Sequence, residues 1–286
     1  MVIHYRTRQL RDLEMFYREA GPADAPVILL LHGYPTSSHM FRDLIPLLAK
    51  DYRVIAPDLP GFGNTRAPAR GTFDYSFDQL AASVVEFTEA LGLQRYALYV
   101  FDYGAPTGFR VAAAHPERVS AIVSQNGNAY EEGLSDVWGP FQAYWNHPSE
   151  ATRSACRDAL TPAAIHMQYF TGADATLVSP DGHTLDSAYL ARPGMDEIQL
   201  DLILDYRSNV AFYPAWQAYF RRHQPPLLAV WGDKDPFFLP AGAQAYRRDL
   251  PAAEIHLLDT GHFALETHAG EIAERMHAFL DPIPLT

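Results

Sequence analysis

Hydrophobic and polar positions change rhythm repeatedly along the chain. Short β-type apolar runs alternate with longer stretches whose apolar residues recur every three or four positions. Pro26–Leu31 predicts a buried strand ending at His32-Gly33. Phe41, Leu44, Ile45 and Leu48 share one face of a helix predicted from about Met40 to Lys50. Tyr52–Ala56 is the next strand, closed by the turn residues of Pro57–Gly63. Asp78 is placed to cap a helix running to about Leu91, where Gly92 stops it. Tyr96–Phe101 predicts a strand, Gly104–Ala114 a helix and Val119–Ser124 a further strand. Strand character returns at Leu227–Trp231 and Glu254–Leu258, and a last helix covers about His268 to Leu280. This alternation predicts an α/β architecture, a mostly parallel central sheet with flanking helices.

From 129 to 222 the rhythm breaks. Helical stretches rich in Tyr, Trp and Phe follow one another with Gly and Pro interruptions and no clear strand. The segment reads as a helical cap inserted into a core made of 1–128 and 223–286. No internal repeat or low-complexity tract is visible.

Composition narrows the function classes. With 286 residues, 48% of them hydrophobic, the chain can bury a large core. A formal net charge of −12 argues against nucleic acid or an anionic membrane as partner, since both need a positive surface. No apolar run approaches the ~20 residues of a membrane helix, and the N-terminal Met1–Arg6 lacks the apolar core of a secretory signal. A cytoplasmic enzyme is the default expectation. The single cysteine, Cys156, excludes an intrachain disulfide and reads as a buried, idle thiol. Neither a metal-ligand cluster nor a dinucleotide-binding glycine pattern appears, so no cofactor is expected.

The most informative stretch is Tyr99-Val100-Phe101-Asp102-Tyr103-Gly104-Ala105, a strand, a sharp turn and a helix. Taken alone, Asp102 reads equally well as a helix N-cap. Two later strand ends carry further candidates: Trp231-Gly232-Asp233-Lys234-Asp235-Pro236 and Thr260-Gly261-His262-Phe263. Together they resemble the α/β-hydrolase fold, with Asp102 at the nucleophile elbow, Asp235 at the acid position and His262 at the base, in that family's chain order. The resemblance covers nearly the whole chain and places aspartate where esterases carry serine. It implies an oxyanion hole from the backbone N–H groups of Tyr34, in His32-Gly33-Tyr34-Pro35, and Tyr103. His32 itself reads as a turn-packing residue. Asn128 and Glu131, just past the Val119 strand, are minor alternatives for the acid.

An aspartate nucleophile directs the chemistry. A carboxylate displaces a leaving group from saturated carbon to give an alkyl ester, which a histidine-activated water then cleaves. Attack on an ordinary ester would instead give an anhydride, so esterase readings fall behind. The resemblance is to the epoxide hydrolases and the dehalogenases of haloalkanes or haloacids. Asp205-Tyr206-Arg207-Ser208-Asn209 is similar to the Tyr-Arg-x-Asn segment of epoxide hydrolases, whose tyrosine donates to the epoxide oxygen; that role falls on Tyr206. Phe141 stands where the second tyrosine usually does, leaving Tyr144 as a substitute one helical turn away. Tyr103 stands where haloalkane dehalogenases carry Trp and haloacetate dehalogenases Arg, and Tyr34 where the former carry Asn. Trp138 and Trp145 could still offer indole N–H groups to a halide. Epoxide hydrolysis to a vicinal diol is therefore the leading expectation, with dehalogenation second. A ligand-binding protein of the same fold, with no activity, is a further alternative. Tyr130, Trp138, Phe141, Tyr144, Trp145, Phe212 and Tyr213 predict an apolar pocket for a small aryl or alkyl substrate, with water as co-substrate.

Overall fold

The computed structural model describes residues 2–285. Eight strands form one sheet: β1 (His4–Gln9), β2 (Glu14–Ala20), β3 (Val27–Leu31), β4 (Arg53–Pro57), β5 (Tyr96–Phe101), β6 (Val119–Gln125), β7 (Leu227–Gly232) and β8 (Glu254–Leu258). Their order is β1-β2-β4-β3-β5-β6-β7-β8, with β1 and β2 antiparallel and the rest parallel. Every residue of β5, β6 and β7 is buried, as expected of parallel strands covered by helices on both faces.

Among the described residues there are ten α-helices: α1 (Ile45–Leu48), α2 (Phe77–Ala90), α3 (Gly104–Ala114), α4 (Gly139–Asn146), α5 (Glu150–Ala155), α6 (Pro162–Phe170), α7 (Pro180–Leu190), α8 (Met195–His223), α9 (Pro240–Asp249) and α10 (Ala264–Leu280). The segment from β6 to β7 contains helices and turns and, among the described residues, no strand of the sheet. It is tied to the loop before α2 by ion pairs of Arg70 with Asp201 and Glu197.

Three local expectations change. The helix predicted over Met40–Lys50 is a 3-10 turn (Ser38–Phe41) followed by the single turn α1. Pro46 sits in the first turn of α1, where its missing N–H costs nothing, and cannot continue a helix arriving from Met40. Phe41, Leu44, Ile45 and Leu48 are nevertheless all fully buried, so the apolar face survives without the continuous helix. Ser76, not Asp78, caps α2, accepting from the Gln79 N–H; Asp78 instead pairs with Arg110. The last helix starts at Ala264, with a kink at His268, rather than at His268 itself.

The topology positions the site. From β3 the chain moves to β4 on one side and later to β5 on the other, so the direction of winding reverses between β3 and β5. Ligand sites in parallel sheets form at such a point, beyond the strands' carboxyl ends. Leu31 of β3 pairs with Val100 of β5 in register, which brings His32–Tyr34 beside Asp102.

Candidate active site

Asp102 ends β5 on a turn tight enough to require φ = +48°, a left-handed conformation that Asp tolerates better than most residues. The first helical turn of α3 then packs against β3. A Cβ on Gly104 would lie 2.2 Å from the Leu31 carbonyl oxygen, so only glycine lets the helix start there. Gly33 is equally constrained, because a Cβ there would come within 2.3 Å of Asp102 Oδ1. The residue that caps α3 is Tyr103, which removes the N-cap reading of Asp102.

The Asp102 carboxylate is buried at 7% exposure, and its two oxygens have different surroundings. Oδ1 accepts the Tyr34 N–H at 2.5 Å, and the Tyr103 N–H also faces the carboxylate. Oδ2 lies 3.9 Å from His262 Nε2, beyond hydrogen-bond range. Burial pushes the carboxyl up to about 6, against the pull of His262 and the two backbone N–H groups. It remains largely ionised at neutral pH.

His262 follows β8 and turns its Nδ1 to Asp235 Oδ2 at 2.7 Å. Phe101, Phe237, Phe238 and Phe263 surround its ring, with centroids 4.6 to 5.9 Å away. Burial would depress the imidazole's pKa, but Asp235, with Asp102 behind it, outweighs burial and holds it above its usual value. Asp235 is fixed in turn by the Phe237 N–H (2.7 Å) and by Asn126 Nδ2 (2.6 Å). Asn126 is a residue that sequence reasoning missed. Its Oδ1 accepts the Gly232 N–H, and it occupies a left-handed conformation (φ = +47°) just after β6. The signal was its place in Asn126-Gly127 at a strand end, a pair suited to such a turn.

The alternatives for the acid lie elsewhere. Asn128 is spent on the Tyr130 carbonyl and the Tyr213 hydroxyl, and Glu131 is exposed. His32 packs the turn as expected: its Nε2 accepts the Leu59 N–H at 2.9 Å, and burial lowers its pKa and keeps it neutral.

A small cavity of about 50 Å³ opens over Asp102 and His262. Tyr34, Tyr103 and Phe237 line it from the sheet side, and Trp138, Phe141, Ala159, Gln168 and Ile203 from the helical segment. Trp138 and Phe141 thus reach the cavity that the sequence assigned to them. Tyr206, Tyr144 and Trp145 do not line it. Tyr206 is sealed behind Trp138 and Tyr103, its ring stacked on Trp145 at 5.5 Å and its hydroxyl beside Tyr213. The Tyr144 hydroxyl accepts from Arg153, and the Trp145 indole N–H donates to the Ile203 carbonyl at 2.6 Å. Tyr130 and Tyr213 are fully buried and Phe212 is partly exposed; none of the three lines the cavity. Gln168 on α6 does line it and was not foreseen. Its neighbours in His166-Met167-Gln168-Tyr169 give no periodic sign of which face of α6 looks inward.

An aspartate on a strand-to-helix turn, a histidine oriented by a second aspartate, and backbone N–H groups facing the first aspartate's carboxylate are the arrangement expected of an α/β-hydrolase. The chain belongs to that family: residues 26–269 match the model for the alpha/beta hydrolase fold. It is 46% identical over 282 residues to the uncharacterized hydrolase YNR064C of Saccharomyces cerevisiae, covering 96% of this chain and 97% of that one. A haloalkane dehalogenase of Psychrobacter cryohalolentis is 38% identical over 278 residues, 96% of this chain and 89% of its own. Among solved structures, the epoxide hydrolase CorEH superposes with a TM-score of 0.81, covering 98% and 99% of the two chains. At 18% identity, that likeness concerns the fold alone.

Proposed function

We propose that the protein hydrolyses small apolar molecules at a saturated carbon through an alkyl ester on Asp102, with epoxide opening to a vicinal diol as its preferred chemistry. The observation that carries this reading is the division of labour within one carboxylate. Oδ1 is held by the Tyr34 N–H, while Oδ2 faces the cavity and His262 without a hydrogen bond between them. Oδ2 forms the new C–O bond as the carbon–leaving-atom bond breaks with its electron pair. His262, oriented by Asp235, then takes a proton from water, whose oxygen adds to the ester carbonyl. The resulting oxyanion develops on Oδ1, which the Tyr34 N–H already holds, with the Tyr103 N–H facing the same carboxyl group. Collapse leaves Asp102 as the free acid and releases the alcohol, protonated by His262. The acid then gives its proton to the deprotonated Tyr103 in the epoxide reaction, or to solvent after a halide has left, and the carboxylate is restored. The helices of 129–222 act as the cap that roofs this reaction.

Donor chemistry favours the epoxide. The indole N–H of Trp138 donates to the Phe237 carbonyl and that of Trp145 to Ile203, so neither indole is free to hold a halide. The Tyr103 hydroxyl, kept neutral by burial, stands at the cavity wall as a proton source for an alkoxide. Halide displacement is the second reading, favoured by the 38% identity to a protein named haloalkane dehalogenase. Size selects short alkyl substrates over the aryl ones the sequence allowed, since a benzene ring occupies a cavity of roughly 150 Å³ and this one is about 50 Å³.

The test is the intact mass of His262→Gln protein mixed with short epoxides and haloalkanes. An adduct of the whole epoxide mass establishes ring opening, and a gain of alkyl alone establishes dehalogenation. Unmodified protein after both would refute the reading.

A further inference from the structure

Four side chains on or beside the cavity could hydrogen-bond to a leaving atom, and two of them are already committed. The Trp138 indole serves the Phe237 carbonyl at 3.0 Å, and the Tyr34 hydroxyl serves the Ala159 carbonyl at 2.9 Å. The Tyr103 hydroxyl and the Gln168 amide remain, neither with a side-chain hydrogen bond among the described residues. Gln168 is only 5% exposed, so this is a primary amide shut into the protein and facing the cavity that holds Asp102 and His262. Leaving such a group unpaired in an apolar wall is costly, and a ligand that accepts from it recovers the loss.

The helix that carries Gln168 is held firmly. Next to it, Tyr169 donates to the buried Asp186 at 2.6 Å and stacks on Phe263 at 3.8 Å, the residue after His262. Ile165, one turn earlier, is 1% exposed. α6 therefore presents the amide from the roof at a fixed height above the catalytic floor, and in a space of about 50 Å³ any occupant touches both.

We infer that Gln168 is the leaving-atom donor of this site: its Nε2–H receives the atom departing from carbon as Asp102 Oδ2 attacks. The inference rests on the alkyl-ester chemistry proposed above. The C–O bond to Asp102 forms, the carbon–leaving-atom bond breaks, and the electron pair goes to the leaving atom under the amide's hydrogen bond. Gln168 gives up no proton. For an epoxide, the alkoxide takes its proton from the Tyr103 hydroxyl, and the acid formed when the ester collapses returns it. For a haloalkane the halide leaves as the anion.

The test measures ester formation by stopped-time intact mass in His262→Gln protein, with and without Gln168→Met, a change of similar size that deletes the donor. The substrates are propylene oxide and 1-chloro-, 1-bromo- and 1-iodopropane. Gln168→Met is expected to slow the epoxide about 30- to 100-fold. Among the halides it should slow chloride most and iodide least, because iodide is the poorest acceptor. Gln168→Leu, which also lacks an N–H, should reproduce the pattern if the methionine variant folds poorly. An unchanged rate, or equal slowing of all four substrates, overturns the assignment while leaving the ester chemistry standing. Absence of any adduct in the His262→Gln parent would overturn the ester chemistry and this inference with it.

Discussion

Replacing Asp102 by asparagine removes one negative charge from the cavity floor and keeps nearly everything else. Asparagine tolerates the left-handed φ of +48°, and its Oδ1 can still accept the Tyr34 N–H. The charge is what the fold opposes. Burial moves the carboxyl from its ordinary 3.8 to about 6, which corresponds to roughly 3 kcal/mol of destabilisation once the group is ionised. That figure is already net of the favourable pairing with His262 and of the two backbone N–H groups. Asp102→Asn should therefore be more stable than wild type by about 3 kcal/mol at pH 7.5, although inactive. The sign follows from proton counts: between 3.8 and about 6 the folded protein holds a proton that the unfolded chain has released. Wild-type stability falls as pH rises through that window, and the variant lacks this loss. The gap should close toward pH 4. Equilibrium urea denaturation at pH 4, 5, 6 and 7.5 measures it. A variant less stable than wild type at pH 7.5, or a gap independent of pH, would refute the claim that this carboxylate is held against its own desolvation.

Three further outcomes follow from the geometry. His262 must be neutral to activate water, and Asp235 holds its pKa above the usual value. Cleavage of the ester should accelerate with pH through a pKa above 6.5, and Asp235→Asn should slow it and move that pKa down, as single-turnover rates across pH 5.5–9 would show. Asp186 is fully buried, with its carboxyl pushed up to about 8, chiefly by desolvation. From about pH 4 to pH 8 the folded state holds a proton the unfolded chain lacks, so its contribution to stability falls across that range. Asp186→Asn should gain several kcal/mol, roughly 5 from the size of the shift, at pH 8.5 and little at pH 4.5 in the same denaturation assay. Tyr206 sits behind Trp138 rather than on the cavity wall, so Tyr206→Phe should change the rate of ester formation by less than about threefold. A loss of a hundredfold would return the leaving-atom role to Tyr206.

What the sequence disclosed follows burial. β5 was read to the residue, and β3, β4, β6 and β7 to within one or two, because buried parallel strands are short, uniform apolar runs. β8 was read to the residue from its apolar Ile255, Leu257 and Leu258, although only Leu258 is buried. The hairpin β1–β2 went unread because every residue of β1 is exposed and only Met15, Tyr17 and Ala20 are buried along β2. The grouping of Asp102, Asp235 and His262 was legible since strand ends and turn residues fix where the three stand. The roof of the site was not. Tyr206, Tyr144 and Trp145 differ from Trp138 and Phe141 only in which face of a helix or turn they occupy relative to the cavity, and that orientation is set by packing among Tyr, Trp and Phe residues that look alike in sequence. Gln168 and Asn126 were overlooked for a related reason: a single amide signals nothing until its neighbours are in place.

The ester on Asp102 makes one claim that no other route to the same product shares. In a single turnover with enzyme in excess over a short epoxide, run in water enriched in oxygen-18, the attacking carboxylate oxygen leaves with the diol. The heavy oxygen therefore enters Asp102, and mass spectrometry of the peptide carrying it should show a gain of about 2 Da while the diol stays unlabelled. Label in the diol, with Asp102 unchanged, would mean that water attacks carbon directly, and the carboxylate would lose its role as nucleophile.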